Sequence, residues 1–423
     1  MGLTAVELQL LSGLLALAAL AGSIWAWPLL SGRTWRSVLG RIGVLVGNQV
    51  LTLVALGLVV NAYFGFYGSW SDLLGTDGGG TSPIVVSDDK PAAVGHPGRG
   101  VTVEGKVSLP PGTAGKLEEV VIPGGESRIT SSAYVYLPRQ YFEKKYAERR
   151  FPVILALTGY PGDARNLITR LNLPATESRA VEAKQMPPTV MVLMRPTVVP
   201  PRDTECMDVP GGPQVETYFT KDVRLAMAAS YRVGLDAQSW GVFGGSTGGY
   251  CALKLSMRHP ESFSAAVSLS GYFRSAVDMT TGDLFGGSAK LQSENDLMWR
   301  LGNLPVPPVS VLVTSSQQGE SDYAETRRFL GMVREPMRAA SMILPSGGHN
   351  FNTWNREIPQ VLPWLGRQLH TPSSLTPGVP GNRLAAPREG HAGLGGRLTG
   401  LEGKPVDSRD RLTEQHARTA RKQ

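Results

Sequence analysis

Ser239-Trp240-Gly241-Val242-Phe243-Gly244-Gly245-Ser246-Thr247-Gly248-Gly249-Tyr250-Cys251-Ala252-Leu253 changes its hydrophobic rhythm within a few residues. The apolar run Trp240–Phe243 reads as a buried strand, and the amphipathic stretch Gly249–Arg258 reads as a helix. Between them lies Gly-x-Ser-x-Gly, the pattern of a nucleophile elbow, with Gly244 and Gly248 flanking Ser246. Glycines are needed on both sides because a strand-to-helix turn this tight would drive any side chain into the neighbouring backbone. The turn lifts the Ser246 hydroxyl clear of the sheet. It also aims the Thr247 amide and the helix N-terminus at the space above. With 50 glycines in 423 residues the bare pattern arises by chance about 0.4 times, so its surroundings decide its weight.

Those surroundings keep one rhythm from Gly115 to His370. Short apolar or β-branched runs recur at Leu117–Ile122, Ala133–Leu137, Pro152–Leu157, Thr189–Leu193, Trp240–Phe243, Ala265–Leu269, Val309–Val313 and Ser341–Leu344. Amphipathic stretches follow at Glu216–Val233, Gly249–Arg258, Tyr323–Val333 and Thr353–Leu369. The turn-rich Pro123-Gly124-Gly125 joins the first two strands as a hairpin, while the longer crossovers that follow force parallel neighbours. The class is α/β, a mostly parallel sheet with helices on both faces.

The partners of Ser246 appear in order along the chain. Of six histidines, His349 alone sits in a Gly-rich loop directly after the last strand (Leu344-Pro345-Ser346-Gly347-Gly348-His349-Asn350), where an α/β sheet presents its reactive groups. His259, before Pro260, reads as a helix end. The orienting acid should follow the strand Val309–Thr314. Glu320 and Asp322 both qualify, with Glu320 preferred; whichever is not used can cap the next helix. A second oxyanion donor is expected from Leu157-Thr158-Gly159-Tyr160-Pro161-Gly162, making the amides of Tyr160 and Thr247 the pair. The order Ser246, Glu320 or Asp322, His349 is that of α/β-hydrolases.

From about Lys116 to Leu369 the chain resembles the Putative esterase family of α/β-hydrolases, which includes esterase D and the mycobacterial mycolyltransferases. The resemblance rests on Pro152–Gly162, Gly244–Tyr250, His259-Pro-Glu-Ser-Phe263 and Gly347-Gly-His-Asn350. With two apolar runs in front, the chain is similar to membrane-anchored esterases of actinobacteria. The resemblance implies a serine acyl-enzyme acting on esters or thioesters, with Ser246, His349 and the Glu320/Asp322 acid matching the family triad. The looser spacing around the acid is a departure from the family. The family holds both hydrolases and acyltransferases. A catalytically silent envelope-binding module with the same fold is the rival from another class.

Ahead of this body, 8–30 and 42–66 are uncharged and apolar enough to cross a bilayer. Arg33, Arg36 and Arg41 in the loop 32–41 place it on the cytoplasmic side, so the chain after about residue 75 is expected outside the membrane. Residues 76–114 read as a Gly/Pro-rich linker, 115–370 as the catalytic domain and 371–423 as a disordered tail of net charge 9 − 5 = +4. The overall charge of 42 − 35 = +7 is too dispersed for a nucleic-acid partner. The expected partners are an ester or acyl-lipid substrate and the bilayer, with no obligate protein partner. Nothing asks for a cofactor or metal. Two further expectations are left open. Residues 273–304, with Met279, Leu284, Phe285, Met298 and Trp299, form either an acyl-binding cap or an ordinary excursion. Asp203, Glu205 and Asp208 form either a cation or polar site or, more simply, a solvated loop. Cys206 and Cys251, the only cysteines, can form one disulfide outside a reducing cytosol, or Cys251 serves as a small buried hydrophobe.

Overall fold

A computed structural model describes residues 3, 5–64, 109–110, 112–320 and 322–372. The greater part of the expected linker and almost all of the expected tail lie outside these residues. At the N-terminus, α1 (Val6–Ala26) ends in a short 3-10 turn around Pro28 and is followed by α2 (Trp35–Phe64). Val6–Leu30 and Trp35–Ala62 are each long and apolar enough to cross a membrane, and most of their apolar side chains are exposed. One polar pair joins the two helices: Asn48 Nδ2 donates to Ser23 Oγ at 2.7 Å. The second helix begins seven residues before the expected start at Ile42. The Ser37 amide donates to Thr34 Oγ1 and starts the helix there, so Arg36 and Arg41 lie in its first turns rather than in a loop.

All eight expected strands form one sheet. In chain order they are β1 (Lys116–Pro123), β2 (Thr130–Leu137), β3 (Val153–Leu157), β4 (Val190–Met194), β5 (Trp240–Gly245), β6 (Ala265–Leu269), β7 (Ser310–Gln318) and β8 (Arg338–Ser346). Their spatial order is β1-β2-β4-β3-β5-β6-β7-β8. The β1–β2 hairpin is antiparallel, β2 meets β4 antiparallel, and every other pairing is parallel. The helices that cover the sheet are α3 (Leu173–Glu182), α4 (Val223–Ser230), α5 (Thr247–Arg258), α6 (Tyr323–Met332) and α7 (Phe351–Gln368).

Alternation along the central strands divides the core. Val153, Leu155 and Leu157 of β3 face the layer that holds α4 and α5, with Tyr250 and Leu253. Ile154 and Ala156 face the layer of α3 and α7, with Leu173, Ile358 and Leu362. A strand apolar on both faces is what a sheet covered on both sides requires.

One ion cluster ties α5 to the segment that leads into α4. Buried Glu216 accepts from Arg258 Nε at 2.6 Å, and its Oε1 is also 2.6 Å from His259 Nε2, while Lys254 Nζ lies 3.8 Å from Oε2. His259 therefore closes the end of α5, as its position before Pro260 suggests. These cations hold the Glu216 carboxyl down at about 2 although burial opposes it. Removing one member of a buried cluster leaves the others unpaired, at a cost of about 3–5 kcal/mol. Glu216→Gln in the detergent-solubilised chain should therefore lower the thermal midpoint markedly at pH 6. Because the folded pKa lies below the ordinary 4.5, the ionised carboxylate stabilises fully above that value and progressively less toward pH 2. The gap between wild type and variant should narrow over that window; a gap independent of pH would exclude this role.

Candidate active site

At the end of β5 the chain does what its glycines allow. Ser246 has φ 56° and ψ −125°, a backbone that L-residues rarely adopt, and α5 starts at Thr247. A Cβ on Gly244 would lie 2.1 Å from the Gly248 carbonyl oxygen, and one on Gly248 would lie 2.3 Å from that of Thr158. The Ser246 amide donates to the Leu269 carbonyl at 3.0 Å, anchoring the turn to β6. As the first residue of α5, Thr247 presents an amide with no intrahelical partner.

Ser246 and His349 line one small cavity that opens to solvent. Gly159 and Tyr160 form its rim on the β3 side, and Leu171 and Trp354 supply apolar wall. The structure thus brings Ser246, Tyr160 and His349 around one space, while Thr247, the next residue after Ser246, is not among the residues that line it. The His349 ring packs edge-on against Trp354, with centroids 5.3 Å apart. Among the described residues no hydrogen bond joins His349 to Ser246 or to Glu320. Burial holds the imidazole below the usual histidine range, against the opposing charges of Glu320 and then Asp322.

Glu320, one of the two candidate acids, is held in place by two serines. It accepts from Ser270 Oγ at 2.7 Å and from Ser315 Oγ at 3.1 Å, and Trp354 Nε1 donates to the same Ser270 hydroxyl at 2.9 Å. Asp322 occupies the N-cap position of α6 but makes no side-chain capping bond there. Ser270 (φ 46°) and Trp354 were not singled out in the sequence. A Ser after a strand carries no signal of its own, and Trp354 reads as one more apolar position of an amphipathic helix.

Two expectations are corrected. The cap reading of 273–304 gives way to the excursion: Leu284 and Phe285 pack with Met207 and Val209, Met298 joins the main core, and none of the named side chains lines the cavity. Leu167, Leu171, Phe351 and Trp354 form the apolar wall instead. Nor is the loop around Cys206 solvated, since Asp203 and Glu205 are buried. Among the described residues no group of acids, histidines or cysteines could hold a metal ion. Cys206 and Cys251 are joined in a disulfide.

A serine on this turn at the edge of this sheet defines an enzyme of the α/β-hydrolase type. The family described as Putative esterase matches residues 130–365, more than half of the chain, and the chain belongs to it. Among solved structures, a ferulic acid esterase is similar at 18% identity and a TM-score of 0.52, covering 62% of this chain and 100% of that one. An S-formylglutathione hydrolase from Agrobacterium tumefaciens is similar at 13% identity and 0.51, covering 62% and 99%. Both likenesses are of fold. An uncharacterized protein of Corynebacterium glutamicum is 22% identical over 268 residues, 60% of this chain, and the match spans 62% of that relative's length.

A Cβ placed on Gly159 would come 3.0 Å from Ser246 Cβ and 3.5 Å from its Oγ. Gly159→Ala should therefore keep the fold and its melting temperature within a few degrees while displacing the hydroxyl. Because the serine need give only a few tenths of an ångström, ester turnover should fall severalfold, short of the ~100-fold that a full ångström costs at a reacting centre. Unchanged turnover would show that this contact does not set the position of Ser246.

Proposed function

We propose that the chain is a membrane-anchored serine esterase that forms an acyl-enzyme and works outside the cytoplasmic membrane. The observation that carries the reading is the strained Ser246 turn facing His349 across one cavity. Neutral His349 takes the Ser246 proton as Oγ attacks the acyl carbonyl. The Tyr160 and Thr247 amides hold the oxyanion, and His349 then protonates the leaving alcohol. Water entering the cavity gives a proton to His349 as its oxygen attacks the acyl carbon, and His349 returns that proton to Ser246 Oγ as the bond to serine breaks and the acid leaves. Glu320 orients the imidazolium and stabilises its charge.

Membrane anchoring is supported by the two exposed apolar helices, and the outward side by the arginines clustered at their connected end. Residues 1–75 would be the anchor, 76–114 a spacer, 115–370 the catalytic domain and 371–423 a basic tail. A Cys206–Cys251 bond suits an oxidising compartment.

A fluorophosphonate probe should label the wild type and leave Ser246→Ala unlabelled; equal labelling of both would remove Ser246 from the reaction, and no labelling of either would favour the silent binding module. The acid is tested by pH. Because His349 is needed neutral and lies below its usual range, kcat/KM should fall only at a midpoint under 6.5. Glu320 raises that pKa, so Glu320→Gln should move the midpoint further down and cost about 10²–10⁴ in kcat/KM. Asp322→Asn should do less of both; the reverse ranking would transfer the role to Asp322.

A second reading, transfer of a long acyl chain from a bilayer lipid to an envelope sugar or glycerol hydroxyl, is favoured by one contact. Arg170 Nη2 donates to the Ala62 carbonyl of α2 at 3.4 Å, and its guanidinium lies 5.5 Å from the centre of the Phe351 ring in the cavity wall. The apolar wall would then stand next to the outer end of the membrane helices. Under this reading, the reconstituted chain should prefer long-chain esters held in vesicles and give acylated product when glycerol is added. Turnover confined to short soluble esters, with free acid as the sole product, would leave hydrolysis alone.

A further inference from the structure

Behind the elbow lies a buried polar chain that the proposed reaction does not use. Tyr272 Oη is 2.6 Å from Glu205 Oε1 and 3.0 Å from Thr247 Oγ1. One phenolic proton cannot serve both contacts, so a flanking group supplies the second. Burial, with Asp203 close by, pushes the Glu205 carboxyl up to about 8 and the phenol well up, so at neutral pH all three groups carry protons. The Tyr272 ring stacks on Tyr250 of α5, with centroids 5.2 Å apart and planes 18° apart.

The same loop is tied to the same helix a second time. Cys206, next to Glu205, is bonded to Cys251, which lies one turn beyond Thr247 on α5. Glu205 and Cys206 both have positive φ, 50° and 52°, a conformation maintained only where the surroundings impose it. Lys254 Nζ, three residues further along the helix, donates to the Glu205 carbonyl at 3.0 Å. Three consecutive attachments to the first two turns of α5 are more than packing needs, and the first ends on the residue after Ser246.

We infer that Tyr272 and Glu205 are positioning residues that fix the Thr247 amide against the oxyanion, with the Cys206–Cys251 bond as the strut that holds Glu205 in reach. The inference rests on the Ser246 and Thr247 reading above. Neither side chain touches substrate; they act through the hydroxyl of Thr247 on its own amide. Donors aimed in advance are what make an oxyanion hole effective, so a loosened amide should slow chemistry more than it weakens substrate binding.

The test uses the full chain in detergent. Tyr272→Phe keeps the ring that stacks on Tyr250 and removes only the hydroxyl. It should lower kcat about 10- to 100-fold with KM within about twofold, and weaken an alkyl trifluoromethyl ketone, which forms a tetrahedral adduct on serine, by the same factor as kcat/KM. Glu205→Gln, whose amide oxygen still accepts from Tyr272, should retain most of kcat, and Glu205→Leu should lose it. The inference is overturned if Tyr272→Phe keeps wild-type kcat, if ketone affinity stays constant while kcat falls, or if Gln and Leu at 205 behave alike. Should Tyr272→Phe fail to fold, the comparison at 205 decides. Fluorophosphonate labelling of Ser246→Ala at the wild-type level would sink the underlying serine reading instead, and is scored separately.

Discussion

The molecule depends on a close approach of backbone to backbone where β5 becomes α5. No atom beyond hydrogen fits on Gly244 or Gly248, since a Cβ would lie 2.1 Å from the Gly248 carbonyl oxygen or 2.3 Å from that of Thr158. That contact forces Ser246 to φ 56°, and the cost of such a backbone, about 1–3 kcal/mol, has to be met by the surrounding fold. The surroundings are suited to it. β5 is central, paired with β3 on one side and β6 on the other, and both faces of the sheet are covered. The Leu269 carbonyl of β6 holds the Ser246 amide from one side, and the loop after β3 closes over the other. A strained serine is therefore kept by the most rigid part of the molecule, while the residues facing it come from loops.

The polar groups beneath the site form two chains that meet the elbow from opposite sides. On one side Glu320, Ser270 and Trp354 are linked, and the Ser270 amide continues to Thr314 Oγ1, which in turn donates to buried Glu357 at 2.8 Å. Burial pushes Glu357 up to about 7, so near neutral pH it carries less negative charge than an ordinary carboxylate would. On the other side Glu205, Tyr272 and Thr247 are linked beneath the helix N-terminus. Under the proposed reaction, one chain would bear on His349 and the other on the Thr247 amide, the two places where charge would develop as Ser246 attacks. Buried polar networks are costly unless satisfied, and the absence of water makes each bond count for more.

Much of this was legible. Each strand holds an apolar run bounded by Gly, Pro or polar residues, so all eight were placed, and helices on both faces followed from the long crossovers between parallel strands. Ser246 and His349 stood out because each lies on a Gly-rich loop after a strand. What stayed hidden was set by tertiary contact. Thr34 moved the start of the second helix by capping it, a choice the uncharged run at Ile42 conceals. Asp203, Glu205 and Asp208 look like any acidic loop until the fold buries two of them. Residues 273–304 hold the right apolar types for a cap, yet Leu284 and Phe285 find Met207 and Val209 nearer than the cavity. Composition gives what a segment can bury, and not what it is buried against.

That difference bears on specificity. The apolar wall comes from Leu167 and Leu171 beside the rim loop and from Phe351 and Trp354 at the start of α7, segments a few residues from Tyr160 or His349. A wall built so close to the reacting groups cannot move without moving them: Trp354 both packs on the His349 ring and donates to the Ser270 hydroxyl that holds Glu320. Under the proposed reaction, an acyl chain pressing on Trp354 would press on His349 and Glu320 as well. In a hydrolase with a separate cap, selectivity for the acyl group and the alignment of the triad can vary independently. Here they share a side chain. Acyl length should consequently be felt in the chemical step and not in binding alone, the arrangement by which binding energy from a remote part of the substrate is used at the reacting centre.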